Sequence, residues 1–347
     1  MSGLARGRSS RPPLAAIVAL LAGLVGATQP ARAQGVSPNC TVTPAVVGNA
    51  TDICRKAADV FAFVVPQLGV ALAGGNPVLG EGGTLGGWGK RSLTLRVSAV
   101  DGLVPQSNVP LTLTRTGAVG DQFGAKRVPV PMPSVDAAIG VVKGIPLGLT
   151  NIGGVDVLLG ATVVPTVASG AFRLAPAASA VAVSYGARLG LLQESAFVPG
   201  VSVSYMRRKV PTLNADYTTA NDTLQVRNAS LTANALRLVA SKRLAIFGVA
   251  AGIGRDDITG VTGVRAIVNE PVLGTTQRAE MAFPVLRESV QRNTAFVNAS
   301  LSLIVARLVA EYGRSSAGAL RQTLNTFDGH QANDAYSYGS VGITVRF

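Results

Sequence analysis

Ser92-Leu93-Thr94-Leu95-Arg96-Val97-Ser98-Ala99 alternates apolar and polar residues without a break. Side chains of a β-strand point alternately to the two faces of its sheet, so a period of two predicts a strand with one apolar face. That face carries Leu93, Leu95, Val97 and Ala99. A helical segment and then a glycine-rich segment precede this stretch, so the strand pattern begins at about residue 92.

The same alternation continues to the end of the chain and predicts an array of strands. Several segments have about the 9–11 residues with which a tilted strand crosses a bilayer. The predicted strands are 109–115, 153–163, 178–191, 197–207, 223–241, 244–255, 259–268, 278–286, 292–303, 305–314 and 336–347. The alternation changes parity near Leu303 and Ile304, which predicts a very tight turn. For the predicted strand 223–241, the alternation does not decide which face is which.

A soluble β-sandwich alternates in the same way, but two features argue against it. The polar faces carry mostly Ser, Thr, Asn and Gly with isolated Arg, whereas a face in water would be rich in Lys and Glu. Short links such as 193–195 and 241–243 alternate with long ones such as 208–222 and 315–335. That alternation is typical of the periplasmic turns and external loops of a membrane barrel, a closed structure that satisfies every backbone polar group in lipid.

We therefore expect an all-β fold, a transmembrane antiparallel β-barrel of about 12 strands within a range of roughly 10–14. The number falls to about ten if 259–268 and 278–286 form an external hairpin and leave the wall. Both numbers are even, as expected for barrels of this class. Composition agrees: the 347 residues have a mean hydropathy of +0.36 with 14% charged residues. A soluble domain carries about a quarter charged residues.

The first 33 residues are typical of an export signal. Arg6, Arg8 and Arg11 precede an apolar core from 14 to 27, and Ala31-Arg32-Ala33 forms a cleavage site. The alternative, a membrane anchor, is less favoured because the core is short and small residues follow it. The predicted organisation is a signal peptide at 1–33, an N-terminal periplasmic or plug segment at 34–90, and the barrel at 91–347.

Cys40 and Cys54 are the two cysteines of the chain, and export to an oxidising compartment predicts that they form a disulfide. Such a loop would stabilise the fold by about 3 kcal/mol in the entropy model. The alternative, a redox-active pair, lacks the C-x-x-C spacing.

The segment 34–90 predicts a plug. A helix is expected through 53–63, ended by Pro66, and 74–89 is rich in glycine without the spacing of a dinucleotide-binding loop. The apolar run 60–73 is interrupted by Pro66, so we expect no helical membrane span in the mature chain. Candidate plug side chains are Phe61, Phe63 and Val64.

The last residues alternate up to a terminal aromatic residue, with Val341, Ile343, Val345 and Phe347 on one face. This pattern resembles the C-terminal strand of bacterial outer-membrane β-barrel proteins, where a terminal Phe is the assembly signal. The resemblance implies the outer membrane of a Gram-negative cell, with lipid, lipopolysaccharide and the barrel-assembly machinery as partners.

The helical and glycine-rich stretch before the first strand resembles the hatch of outer-membrane hydrocarbon transporters of the long-chain fatty acid type. That family passes hydrophobic solutes through a plugged barrel. The resemblance implies a passive transporter or channel for small hydrophobic solutes, with the solute unknown, and it assigns no substrate residue in this chain.

The alternation also predicts which charged residues face the lumen. Arg96, Arg188, Arg307 and Arg346 fall on the inner face, with Glu311 available as a partner. An arginine facing lipid at mid-depth would cost about 2–4 kcal/mol, which favours the inner position. A basic lumen open to water favours anions, so an anion-preferring porin is one alternative function. A non-transporting structural or adhesive barrel is the other.

Other functional classes find little support. His330 is the single histidine, beside Asp328 and Asp334 in an expected external loop, and we interpret it as a solvated residue, so no enzyme is predicted. No metal-ligand spacing or cofactor motif occurs, and export with dispersed arginines argues against nucleic acid. Arg207, Arg208 and Lys209 form a basic cluster that could contact lipopolysaccharide phosphates.

Overall fold

The computed structural model describes residues 50–106, 118–164, 166–169, 172–218, 223–272, 275–320 and 322–347. In this part of the chain a helix precedes a long series of strands. The elements are α1 (Ala50–Ala73), β1 (Arg91–Pro105), β2 (Gln122–Phe123), β3 (Ala125–Val142), β4 (Ile145–Leu147), β5 (Thr150–Ile152), β6 (Gly154–Val163), β7 (Val167–Ser169), β8 (Phe172–Pro176), β9 (Val181–Leu192), β10 (Gly200–Lys209), β11 (Leu213–Thr218), β12 (Thr223–Leu244), β13 (Phe247–Val272), β14 (Thr275–Ala282), β15 (Leu286–Ser302), β16 (Ala306–Ser315), β17 (Thr326–Phe327) and β18 (Tyr336–Arg346).

Ten strands close into a ring in which each strand pairs with both of its neighbours. The order around the ring is β1, β3, β6, β9, β10, β12, β13, β15, β16 and β18. β18 pairs antiparallel with β1 from Ser92↔Arg346 to Val100↔Tyr338 and so closes the ring. A closed ring leaves no unpaired edge inside the membrane. The prediction of a transmembrane antiparallel β-barrel with an N-terminal plug is confirmed, with ten strands in the wall.

The sheet extends beyond the ring at one end. β14 pairs with the outer part of β13, while β11, β8 and β7 continue from the outer part of β12. β12 has 22 residues and β13 has 26, about twice what a bilayer crossing needs. The predicted separate strands 244–255 and 259–268 are therefore one strand, and 275–282 forms an external hairpin with its outer half.

The two ends of the barrel differ in the length of their connections. At the end that holds Phe347, β12 and β13 are joined through Ala245 and Ile246, and β15 and β16 through 303–305. The tight turn predicted near Leu303 is thus confirmed, whereas β12 continues past the predicted end at 241. The opposite end carries the long connections. Short turns are periplasmic and long loops external in such barrels, which orients this one.

The outer wall exposes large apolar side chains on most strands of the ring. Alternate residues face outward. In β15 from Thr294 to Ser300, the outward residues are Ala295, Val297 and Ala299, and the polar Thr294, Asn298 and Ser300 between them are buried. This continuous apolar surface is what a barrel presents to lipid. Exposed members on nine strands are Leu95, Leu159, Val183, Tyr205, Leu236, Val249, Val297, Leu308 and Ile343.

Strand β3 is a wall strand that the sequence analysis missed. It contains Pro129, Pro131 and Pro133, and proline is uncommon inside sheets because it has no N–H to donate. The three occupy alternate positions, so their nitrogens face one edge of the strand. β1 pairs along β3 throughout, but β6 pairs with it only from Ser134 onward. Among the described residues, no strand pairs with the other edge of β3 beside the prolines, which explains why they are tolerated.

Helix α1 lies inside the ring and is longer than predicted. It has 24 residues, about 36 Å, and continues through Pro66, where the sequence predicted its end. It contacts β1, β3, β10, β12, β13, β15 and β18. Packing against these wall strands overrides the break that proline imposes on an isolated helix. By length and composition the helical segment 51–73 could cross a membrane, although the sequence predicts no helical span in the mature chain. Most of this segment is buried inside the protein.

Several predictions lie outside the described residues. These are the signal peptide at 1–33, the strand 109–115 and Cys40. Cys54 is fully buried in the first turns of α1. The disulfide between Cys40 and Cys54 therefore stays a prediction, as does the cleavage after Ala33.

Candidate functional site in the barrel lumen

The plug consists of α1 and the glycine-rich segment 74–89, and it runs through the lumen from the external end to the periplasmic end. Near the start of α1, Ile53 and Cys54 lie in one buried cluster with Val264 and Leu286 of the outer sheet. The chain leaves the lumen next to the periplasmic end of β1. The segment 34–90, predicted as periplasmic or plug, thus places its described helical part at the external end and inside the barrel.

Ion pairs and hydrogen bonds hold the external end of α1. The Lys56 Nζ lies 2.8 Å from Asp52 Oδ2 on the same helix and 2.9 Å from Asp121 Oδ2 in the connection before β2. One turn later, Asp59 Oδ2 accepts the backbone N–H of Asn325 at 3.0 Å and its side-chain amide at 2.9 Å. Asp52, Lys56 and Asp59 are buried, so each of these charges depends on its partner. The external loops are thereby fixed to the helix.

Aromatic stacking closes the same end. The rings of Phe63 and Phe327 stack with centroids 4.1 Å apart, and Phe123 stacks on the other side of Phe327 at 5.4 Å. Phe61 and Val64, the other predicted plug side chains, are half-buried and pack against neighbouring apolar clusters. All three predicted plug residues are therefore engaged in packing in this closed arrangement.

Gln67 joins the middle of α1 to the wall. Its Oε1 accepts the backbone N–H of Leu103 at 2.6 Å, and its Nε2 donates to the carbonyl of the same residue at 3.2 Å. The Nε2 also donates to the Phe63 carbonyl at 2.9 Å. A Cβ on Gly102 would lie 3.3 Å from Gln67 Oε1, so the strand approaches the helix closely because glycine stands there.

Below the helix, the wall binds the backbone of the plug. The two oxygens of Glu311 accept the N–H groups of Gly75 and Asn76 at 3.0 and 2.8 Å. Arg96 donates to the carbonyl of Asn76. Asn298 Nδ2 donates to Glu311 at 3.2 Å and holds that carboxylate in place.

Arg237 completes this set of contacts from the opposite side of the ring. Its guanidinium donates to the carbonyls of Gly74 at 2.7 Å and Gly75 at 3.1 Å, and to Asp256 Oδ1 at 2.6 Å. Thr294 donates to the other oxygen of Asp256 at 2.6 Å. We call Arg96, Arg237 and Glu311 the backbone clamp, because their contacts with the plug go to main-chain groups.

Glu81 is the centre of a second charged cluster, near the periplasmic end. Its Oε1 lies 2.9 Å from Arg307 Nη1, and its Oε2 lies 2.7 Å from Arg346 Nη2 and 3.8 Å from Arg188 Nη2. Arg188 also binds Asp156 through Nε at 2.9 Å and Nη2 at 2.6 Å. We call Arg188, Arg307 and Arg346 the three-arginine site.

The plug also touches the wall closely at its periplasmic end. The Gly82 N–H donates to Ser241 Oγ at 2.8 Å, and a Cβ there would lie 2.4 Å from the Ser241 nitrogen. Two residues further, Thr84 Oγ1 donates to Gln193 Oε1 at 2.8 Å. Glycine is required at this level because a backbone passes directly against another backbone.

The five predicted lumen residues lie on the inner wall. Arg96, Arg188, Arg307 and Glu311 are buried, and Arg346 lies at the periplasmic mouth. Glu311, expected to pair with an arginine, instead accepts N–H groups of the plug. The sequence analysis did not single out Glu81, Asp136, Asp156, Arg237 and Asp256. The parity of the predicted strand 153–163 already puts Asp156 inside, whereas Asp136 lies on the missed strand.

The basic cluster 207–209 divides between the two faces of β10. Arg208 is buried in the lumen, where Nη1 and Nη2 bind Asp136 at 2.7 and 3.1 Å. It is therefore not available to lipopolysaccharide, contrary to the expectation for the whole cluster. Arg207 is half-buried and Lys209 is exposed. These two alternate with Arg208 and face outward, as a period of two requires.

The C-terminal residues face the outside of the wall. Val341, Ile343 and Phe347 are exposed, and Val345 is half-buried. The Phe347 N–H and C=O both bond to the backbone of Arg91, at 3.0 and 3.2 Å. The terminal residue thus stays in register with the first strand of the ring.

His330 lies at the external end, beside a cavity of about 200 Å³ that is also lined by Asp101, Arg127 and Arg314. Its Nδ1 is 3.3 Å from Asp334 Oδ2. The same carboxylate oxygen accepts the Gln331 N–H at 3.1 Å, so Asp334 closes a local turn. Over the described residues, no group of three or more His, Cys, Asp or Glu side chains is placed to hold a metal ion.

No protein-family profile and no curated protein sequence matches this chain. Solved structures of similar fold are outer-membrane β-barrels. The translocator domain of the autotransporter NalP from Neisseria meningitidis is 12% identical, with a TM-score of 0.32 over 88% of this chain and 100% of that one. The toluene transporter TodX from Pseudomonas putida is 10% identical, with a TM-score of 0.28 over 74% and 87%. The toluene transporter TbuX from Ralstonia pickettii is 14% identical, with a TM-score of 0.25 over 79% and 98%.

Proposed function

We propose that the protein is an outer-membrane barrel that is closed by its own plug and passes small solutes when the plug moves. The observation that carries this proposal is the backbone clamp. The wall holds the plug at Gly74, Gly75 and Asn76 through main-chain hydrogen bonds and not by a continuous apolar interface. Such contacts can be exchanged for water, so a passage can form without unfolding the wall.

The charge of the inner wall favours small anions as the solute. Around the lower plug, six arginines face four carboxylates, and Glu81 of the plug adds a fifth acid. If the plug moves, Glu81 leaves and the wall keeps an excess of positive charge. The residues are Arg96, Arg188, Arg208, Arg237, Arg307 and Arg346 with Asp136, Asp156, Asp256 and Glu311. Buried serines and threonines such as Ser98, Ser202 and Thr344 line the same region, and a polar, basic passage selects hydrated anions.

A passage for small hydrophobic solutes is the second candidate, and the upper lumen favours it. There the wall turns apolar side chains toward α1, among them Val100, Ile258 and Phe296. A shift of the helix would expose these apolar side chains as the lining of a passage. Density for a detergent or lipid chain between α1 and these apolar side chains in the purified protein would support a hydrophobic solute. Density for such a chain only outside this region would favour the anion.

Deletion of residues 34–90 followed by single-channel recording in planar bilayers tests the proposal. The wall strands stay complete, and a heat-dependent shift in gel mobility verifies that the shortened chain forms a barrel. We expect steady current from the shortened barrel and only rare openings from the intact chain. A folded but silent shortened barrel would instead favour the structural or adhesive alternative.

We also propose that Arg207 and Lys209 contact lipopolysaccharide phosphates at the outer surface. Charge-assisted hydrogen bonds to phosphate would anchor this part of the wall in the outer leaflet. Replacing both residues by glutamine should lower the unfolding temperature in membranes that contain lipopolysaccharide and leave it unchanged in phospholipid alone. If the double substitution changed the unfolding temperature by the same amount in both membranes, this would contradict the contact.

The barrel-assembly machinery is the further partner we propose, acting on the C-terminal strand. The exposed alternation that ends at Phe347 supports it. Removal of Phe347 should reduce the amount of heat-modifiable barrel in the outer membrane of intact cells. Unchanged assembly would count against this role.

A further inference from the structure

The three-arginine site brings together side chains from β9, β16 and β18 around the carboxylate of Glu81. Arginine guanidinium groups bind carboxylates and phosphates through directed N–H bonds. We propose that Arg188, Arg307 and Arg346 form a binding site for small oxyanions, above all carboxylates, and that Glu81 occupies this site while the barrel is closed.

The plug places the carboxylate of Glu81 in the site in the same way as a small free acid would place its own carboxylate there. Gly80, Gly82 and Gly83 flank it, so no neighbouring side chain accompanies the carboxylate into the site. Gly80 has a φ of +75°, a conformation that turns the chain sharply just before Glu81. Of the plug side chains, Glu81 is the one that forms ion pairs with these arginines in the described structure. A small anion of the same chemistry therefore matches the space that Glu81 fills.

The site holds a donor that Glu81 does not use. Arg188 is almost fully buried, and within the described structure its Nη1 has no hydrogen-bond partner. A buried donor without a partner is costly, so an arriving oxygen atom is stabilised there. Arg346 is partly exposed at the periplasmic mouth and offers the route by which an anion reaches the site.

This inference deepens the proposed function and rests on it in one respect, namely that the site lies on the path of the solute. An anion that enters from the periplasm competes with Glu81 for the same guanidinium groups. It thereby weakens the attachment of the lower plug, and the transported class of solute would also promote opening.

Chemical rescue of the full-length Glu81→Ala variant by acetate tests the site. Thermal unfolding is followed in detergent at constant ionic strength while sodium acetate replaces sodium chloride. The variant should unfold at a lower temperature than the wild type in chloride, because Arg307 and Arg346 lose their carboxylate partner while Arg188 keeps Asp156. Acetate should raise its unfolding temperature with saturation, by about five times the rise seen in the wild type, because only the variant has a vacant site. Inorganic phosphate serves as a second probe.

Matched variants distinguish the site from a general salt effect. Glu194→Ala removes a carboxylate at the same end of the barrel that binds Arg243 and lies outside the three-arginine site, and acetate should not rescue it. Adding Arg188→Met to Glu81→Ala should abolish rescue. If Glu81→Ala does not assemble, Glu81→Ser replaces it, since its short polar side chain also leaves the position of the carboxylate vacant. Equal acetate effects in all variants, or no effect in the Glu81 variant, would overturn the inference. The readout is binding, so it stands even if the shortened barrel carries no current.

Discussion

Glu311 of β16 and Gly75 of the plug meet so closely that a methyl group cannot be placed between them. The Glu311 Oε1 accepts the Gly75 N–H at 3.0 Å, and a Cβ on Gly75 would lie 2.6 Å from the same carboxylate. The wall can therefore hold the plug backbone here because the plug has no side chain at this point. Closure of the barrel depends on this absence as much as on the charges around it.

Gly75→Ala should displace the Glu311 carboxylate and weaken the backbone clamp. We expect a loss of about 1–3 kcal/mol in the free energy of unfolding, the usual cost of forcing extra volume into a packed site. Urea unfolding of the barrel in detergent measures it. Gly263→Ala is the matched control, because the nearest atom to its added Cβ would be 3.5 Å away. An equal effect of the two substitutions would argue against a specific clamp at Gly75.

Arg237→Met should be strongly destabilising. It removes the bonds to the carbonyls of Gly74 and Gly75 and leaves Asp256 buried without its guanidinium. Breaking one half of a buried ion pair costs about 3–5 kcal/mol. Arg127→Met, which breaks an exposed pair with Asp101, should cost about 0–1 kcal/mol in the same assay. Similar losses in both variants would mean that Arg237 does not hold the plug.

Phe327→Ala should release the last external loop from the plug. The loop is attached by the stack of Phe327 between Phe63 and Phe123, and loss of a buried phenylalanine costs about 3–5 kcal/mol. A protease added to intact cells should then cut within 316–335 much faster, while the barrel keeps its heat-modifiable mobility. Phe197→Ala, at an exposed position in the turn after β9, should leave the cleavage rate unchanged. A protected loop in Phe327→Ala would contradict this prediction.

The orientation of the barrel predicts which positions a membrane-impermeant thiol reagent reaches in intact cells. Ala178, before β9, belongs to the long connections, and Ile304 lies fully exposed in the turn between β15 and β16. A cysteine at 178 should be labelled from outside, and a cysteine at 304 only after the outer membrane is opened. Labelling in the reverse order would place the start of α1 on the periplasmic side.

Period-two alternation was sufficient to predict the barrel, because every wall strand has lipid on one face. It failed at β3, where Pro129, Pro131 and Pro133 argue against a strand unless the open edge beside them is known. It also failed at Pro66, because the wall strands that support the helix come from residues far away in the chain. Such long-range packing leaves no local signal.

The inward arginines were predictable from parity, whereas their partners were not. Asp136 lies on the missed strand, and Glu81 lies in an irregular segment that has no period. The parity of β10 also separates Arg208 from Arg207 and Lys209, so the division of that cluster could have been predicted from the alternation of 197–207. Proximity in sequence does not place three neighbouring residues on one face of a strand.

We propose that the plug closes a passage and that its lower part, 74–89, is attached to the wall mainly by hydrogen bonds and ion pairs. Single-channel recording of the full-length Glu81→Ala, Glu311→Ala double variant tests it most directly, with the wild type as reference. Both substitutions lie at contacts between wall and plug, so the barrel itself should keep its heat-modifiable mobility. We predict rare openings in the wild type and frequent openings in the variant, with a reversal potential in a salt gradient that shows anion preference. A folded variant that remains as silent as the wild type would contradict the account.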